Sequence, residues 1–127
     1  MSRQRKKGTA FESGVRDGLR EHYGVGEDEV YLLRTQGAND QGDVAGLRAH
    51  GQKVVVECKN CRTYDIPEWL RQTEAERGNA DALAGVCLFH QNGLGFDTPE
   101  KVMQQPVVMR LKDLLAIIDG QRDERWD

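Results

Sequence analysis

The chain has 127 residues, enough for one domain with its own core. Charged residues make up 31% and aromatics 6%, so the core is expected to be mostly aliphatic. No run of about 18 apolar residues occurs, so no hydrophobic segment is expected to span a membrane, and the net charge of −3 weighs mildly against a polyanionic partner.

The opening Met1-Ser2-Arg3-Gln4-Arg5-Lys6-Lys7 sets four cations within residues 3–7. It lacks the apolar stretch of an export signal, and residues 1–8 read as a basic arm. Three cysteines, an odd number beside no export signal, then read as reduced thiols in a cytoplasm. The four-residue steps of Phe11, Val15 and Leu19 predict a helix from near Thr9, ended by Gly24 and Gly26. Residues 29–35 read as a strand, 37–42 as a polar turn and 44–48 as a short second strand. Ala49-His50-Gly51-Gln52 reads as a hairpin turn into a third strand, 53–60. A helix is expected over 67–77, with Pro67 in its first turn and Gly78 as its stop. Residues 85–90 and 106–110 read as the fourth and fifth strands. Leu111, Leu114, Leu115 and Ile118 have the spacing of a packed helix, closed by Gly120, and residues 121–127 are expected to fray. The order α-β-β-β-α-β-β-α predicts a single α/β domain over residues 1–127, a small sheet flanked by helices.

The chemistry concentrates between Asp43 and Lys59. Alternate strand residues share a face, so Val55, Glu57 and Lys59 point one way and Val54, Val56 and Cys58 the other. Valines on both faces make this strand central, and charged side chains near its end need a reason because unpaired buried charge is expensive. A simple Glu57–Lys59 salt bridge is one reason. Asp43 supplies another: it opens the strand expected to pair with the Glu57 strand, which brings both carboxylates to one end of the sheet. Two acidic oxygens with open positions suit Mg²⁺, with Mn²⁺ as a substitute. Lys59 is then placed to orient a water or stabilise phosphoryl charge. Taken alone, Asp43 is also an ordinary turn residue after Gly42.

Gly37-Ala38-Asn39-Asp40-Gln41-Gly42-Asp43-Val44 followed by Val54-Val55-Val56-Glu57-Cys58-Lys59-Asn60 resembles the PD-(D/E)xK nuclease superfamily, with Gly42 where the motif's name has proline. Within it, Lys6-Lys7-Gly8-Thr9-Ala10-Phe11-Glu12 makes the chain most similar to archaeal (Hjc-type) and phage (RecB-like) Holliday junction resolvases. The likeness covers about residues 5–90. It implies a restriction-endonuclease-like central mixed β-sheet flanked by helices. It also implies Mg²⁺-dependent cleavage of branched DNA, the four-way junction above all, by a homodimer. Asp43, Glu57 and Glu12 are the implied metal ligands and Lys59 the catalytic amine, although Glu12 also fits a capping box with Thr9. Asp40, three residues earlier, lies off the matched position. Gln72 is a supporting residue on the following helix, where Glu68 and Glu76 share its face.

Arg3, Arg5, Lys6, Lys7, Arg34 and Arg62 are the implied phosphate contacts, which give affinity without reading sequence. Tyr31, Leu33, Phe89 or the C-terminal helix would supply the dimer interface. Other specificities, such as flap or restriction-type cutting, stay open, as does a catalytically silent DNA-binding module. A redox or zinc protein built on Cys58 and Cys61 is weaker, because no second ligand pair completes a zinc site.

Overall fold

The computed structural model describes residues 3–34 and 37–127, with side chains from residue 8 onward. It is an α/β fold. Helix α1 (Arg3–Tyr23) is followed by β1 (Tyr31–Leu32), a 3₁₀ turn (Gly37–Asn39), β2 (Val44–Ala45), β3 (Arg48–Ala49) and β4 (Gln52–Lys59). Then come α2 (Ile66–Ala80), β5 (Ala84–Phe89), α3 (Pro99–Met103), β6 (Val107–Val108) and α4 (Leu111–Asp119). The six strands form a mixed sheet in the order β1-β2-β4-β5-β6, with β3 also on β4. Among the described residues only β4 and β5 run parallel, joined by α2 as the crossover helix. Among the described residues no helix is long and apolar enough to cross a membrane.

The long strand β4 is central because its neighbours are paired on both sides, and its valines are buried accordingly. Val54, Val56 and Cys58 face Phe11 and Val15 of α1, together with Val30, Val44 and Val86. The other face of the sheet meets α2, whose Trp69, Thr73 and Glu76 are buried. Gly85 of β5 lets α2 come close, since a Cβ there would stand 2.8 Å from Thr73 Cγ2. The β3–β4 hairpin turns through His50 and Gly51, both at positive φ (53° and 73°), as a tight two-residue connection requires.

Several elements depart from the sequence reading. Helix α1 starts at Arg3, not near Thr9, so residues 3–8 of the expected basic arm are helical, and residues 1 and 2 lie outside the described residues. The side chains of Arg3, Arg5, Lys6 and Lys7 lie outside the described residues, as do Thr35 and Gln36. The expected strand over 29–35 is only Tyr31–Leu32. The strand over 44–48 breaks into β2 and β3 at Gly46, whose φ is 112° and whose missing Cβ would lie 2.1 Å from Glu29 O. Helix α2 runs through Gly78 and stops at Asp81, which takes the left-handed cap conformation. Helix α3 has no counterpart in the apolar periodicity; Thr98 caps it and Pro99 opens it.

Helix α4 forms where expected but the other way round. It buries Asp113 and Ala116 and leaves Leu111 (69%) and Ile118 (63%) exposed. The apolar stripe and the buried pair lie on opposite sides of a 3.6-residue helix. Asp113 is drawn inward by Arg122, which donates to it at 2.7 Å and to Leu83 O at 2.8 Å. Arg122 also pairs with Asp127. The tail expected to fray over 121–127 is therefore anchored, and ends in a 3₁₀ turn (Glu124–Trp126).

Candidate functional site

Three elements bring carboxylates together beside the C-terminal half of β4, where β2 pairs with it. Residue Asp43 leads into β2, where Val44 pairs with Val56; its N–H donates to Val56 O at 2.8 Å. Its side chain turns back across the strand end, and Oδ2 accepts from Cys58 N at 2.7 Å. This placement depends on Gly42, which has φ +104°. Proline, locked near −65°, cannot adopt that backbone, which accounts locally for glycine at the position. Glu57 sits on β4 and is 5% exposed. Glu12 on α1 lines the same cleft as Asp43. With Thr9 inside the helix rather than at its start, Glu12 does not act in a capping box at the helix N-terminus.

A fourth carboxyl, Glu76 on α2, lines the cleft with Glu57. The four form a series, Glu12–Asp43–Glu57–Glu76, lining a cleft of about 580 Å³. Asp40 and Arg71 line it too. By spacing alone Asp40 falls outside the motif and Glu76 is one step of a solvated helix face. The signal that spacing does not carry is burial: Glu76 is 6% exposed. It lies three residues after Thr73 on the inward side of α2.

Lys59 is the amine at the site. Its Nζ donates to Gln72 Oε1 at 2.5 Å, not to Glu57 as a simple salt bridge would require. Gln72 in turn donates to Glu68, which also holds Arg71. Asn79 donates to Ala38 O and Asp40 O (2.9 and 2.8 Å), tying the loop that carries Asp40 and Asp43 to the end of α2. Arg34 and Arg62 are exposed and do not line the cleft. The three cysteines are free thiols: Cys58 and Cys87 are buried in the core and Cys61 is exposed.

Burial and mutual repulsion dominate the electrostatics. Asp43 is pushed from its ordinary 3.8 to about 9, first by burial and then by the neighbouring Glu57, against the Cys58 N–H. Glu57 rises from 4.5 to about 8, by burial and by Glu76, with Asp43 and then Lys59 opposing. Glu12 rises from 4.5 to about 7, by burial and then by Asp43 and Asp40. Burial also pushes Glu76 up. Such neighbours titrate together, and the series holds protons near neutrality unless a cation replaces them.

Among the described residues, no group of three or more His, Cys, Asp or Glu side chains is arranged to hold a metal ion as it stands. The carboxyls meet pairwise. That suits Mg²⁺, which keeps several waters and is often held through one or two carboxylates. The donor set is all hard oxygen, and Glu76 Oε2 is buried with no hydrogen-bond partner. These features fit a divalent cation. Compared with known proteins, the chain matches no family model, no curated protein and no solved structure.

Proposed function

We propose that the chain is a Mg²⁺-dependent, structure-specific DNA endonuclease with a restriction-endonuclease-like sheet, a Holliday junction resolvase that hydrolyses phosphodiesters in branched DNA. The observation that carries the reading is the meeting of Asp43, Glu57 and Glu12 with Lys59 beside the C-terminal half of β4. They come from three separate elements, as the resembled motif requires.

Asp43 and Glu57 would hold the cation, with Glu12 assisting. When bound, it supplies a water of lowered pKa and neutralises charge on the phosphoryl group. The protein's own groups do the positioning. The Cys58 N–H fixes one oxygen of Asp43. Gln72 holds the Lys59 ammonium at the cleft, where its remaining donors meet a water or a non-bridging phosphate oxygen. Arg71 at the cleft, with Arg34, Arg62 and the cations of residues 3–7, would bind flanking phosphates.

A four-way junction presents two equivalent scissile strands, so two sites related by a two-fold axis belong to this reading. The outward apolar face of α4, Leu111, Leu114, Leu115 and Ile118, is the surface where a second copy would dock. It is more exposed than Leu33 or Phe89, which are half-buried.

The test is direct. Labelled four-way, flap and linear duplex DNA are incubated with the protein, in Mg²⁺ and in chelator. Symmetric nicks in the four-way junction, only with Mg²⁺, are expected. Equal cutting of linear duplex would replace the resolvase by a nuclease of other specificity. No cutting, with binding retained, would leave a silent module.

A further inference from the structure

Glu76 is hard to explain as part of the scaffold. It is on the inward side of α2, 6% exposed, and its Oε2 is buried without a partner. Its neighbour in the cleft lining is another carboxyl, Glu57, itself 5% exposed. A buried carboxyl facing a carboxyl is costly unless something positive lies between them.

Among the described residues, Lys59 and Arg77 are turned elsewhere. Lys59 Nζ is engaged by Gln72, and Arg77, next in the helix, is turned to Glu74 and Ala82 O. The helix lies close on β5 here, with Thr73 Cγ2 in the space a Cβ at Gly85 would need. The arrangement sets two hard oxygen donors together in the lining of the cleft.

We propose that Glu57 and Glu76 bracket a second divalent-cation subsite, beside the one between Asp43 and Glu57. The inference rests on the nuclease reading, which supplies the first subsite, but its residue lies outside the Asp…Glu-x-Lys motif. Glu57 is the shared ligand, standing between Asp43 and Glu76 in the series. Two ions so placed would be a few ångströms apart, about 3.5–4 Å in known two-ion sites. Oxygen-only donors select Mg²⁺, Mn²⁺ or Ca²⁺ over softer metals.

The test counts ions without using catalysis. Mn²⁺ binding to the full chain is measured by calorimetry and by disappearance of the free-ion electron paramagnetic resonance signal, for wild type, Glu76→Gln and Glu57→Gln. Wild type is expected to take up two Mn²⁺ per chain. Glu76→Gln should keep one and bind the other about tenfold or more weakly. Glu57→Gln should weaken both.

Equal stoichiometry and affinity in wild type and Glu76→Gln would overturn the proposal and leave Glu76 sharing a proton with Glu57. The nuclease reading would then still stand if Glu57→Gln loses its ion. A single Mn²⁺ in wild type overturns the second subsite without any variant, so a misfolded Glu76→Gln leaves the question decidable. No Mn²⁺ in wild type removes both readings.

Discussion

At the scale of single residues, the site rests on side chains whose charge the fold disfavours. Glu57 is buried with Asp43 half-buried beside it, and no scaffold role needs two neighbouring carboxyls there. Asp43→Asn and Glu57→Gln keep shape and remove a charge each. We expect either to cut junction cleavage by at least about a hundredfold while leaving junction binding within a few-fold. Gel-shift and cleavage assays on one substrate separate the two effects, and near-normal cutting by either variant would remove the site assignment. Gly42 is a second test at this scale. At φ +104°, an alanine Cβ would press on Val55 Cγ1 and Val56 O, each 3.0 Å away. Gly42→Ala should therefore cost roughly 1–3 kcal/mol and displace Asp43, lowering both the denaturation midpoint and the cleavage rate. An unchanged midpoint would show that the loop accommodates the methyl freely.

At the scale of elements, what was legible was what local pattern dictates. The double valine face of 53–60 required a central strand, and β4 is one. The hairpin at His50-Gly51, and the approach of Asp43 to the Glu57 strand, followed from turn chemistry and register. Glu76 was not legible, because burial on α2 depends on how closely that helix lies on Gly85, a non-local fact. Helix α4 was legible as a helix but not in its facing. Its spacing fixes a stripe, whereas Arg122 and Leu83 decide which side turns inward. The start of α1 escapes the pattern because apolar periodicity begins only at Phe11, yet the helix extends back to Arg3. That extension changes what the basic segment is: cations on helix turns rather than on a loose arm. Deleting residues 1–7 should weaken DNA binding and flatten its salt dependence, by about 0.9 in log–log slope for each phosphate these cations neutralise. An unchanged slope would mean that they do not touch the DNA backbone.

At the scale of the whole molecule, two surfaces carry unbalanced terms, one apolar and one charged. The apolar one is the outer face of α4, where four aliphatic side chains meet solvent. Leu111→Asp with Ile118→Asp should turn a dimer into a monomer in sedimentation equilibrium. A wild type that is monomeric at high micromolar concentration would remove the two-fold arrangement. The charged one is the cleft. Asp43, Glu57 and Glu12 have folded values of about 9, 8 and 7, all above their ordinary 3.8–4.5. Between the ordinary and the raised values the folded state binds more protons than the unfolded one, so stability falls as pH rises. The contribution is complete below about pH 4 and disappears progressively through about pH 7–9. In chelator, the melting temperature should therefore drop between pH 6 and pH 9, and Asp43→Asn should drop less steeply and melt higher than wild type near pH 8. Adding Mn²⁺ at that pH replaces the missing protons with cation charge, and should restore wild type while leaving Asp43→Asn almost unmoved. A flat profile in chelator, or equal rescue of both proteins, would mean that the carboxyls are not held against one another in solution as the fold holds them.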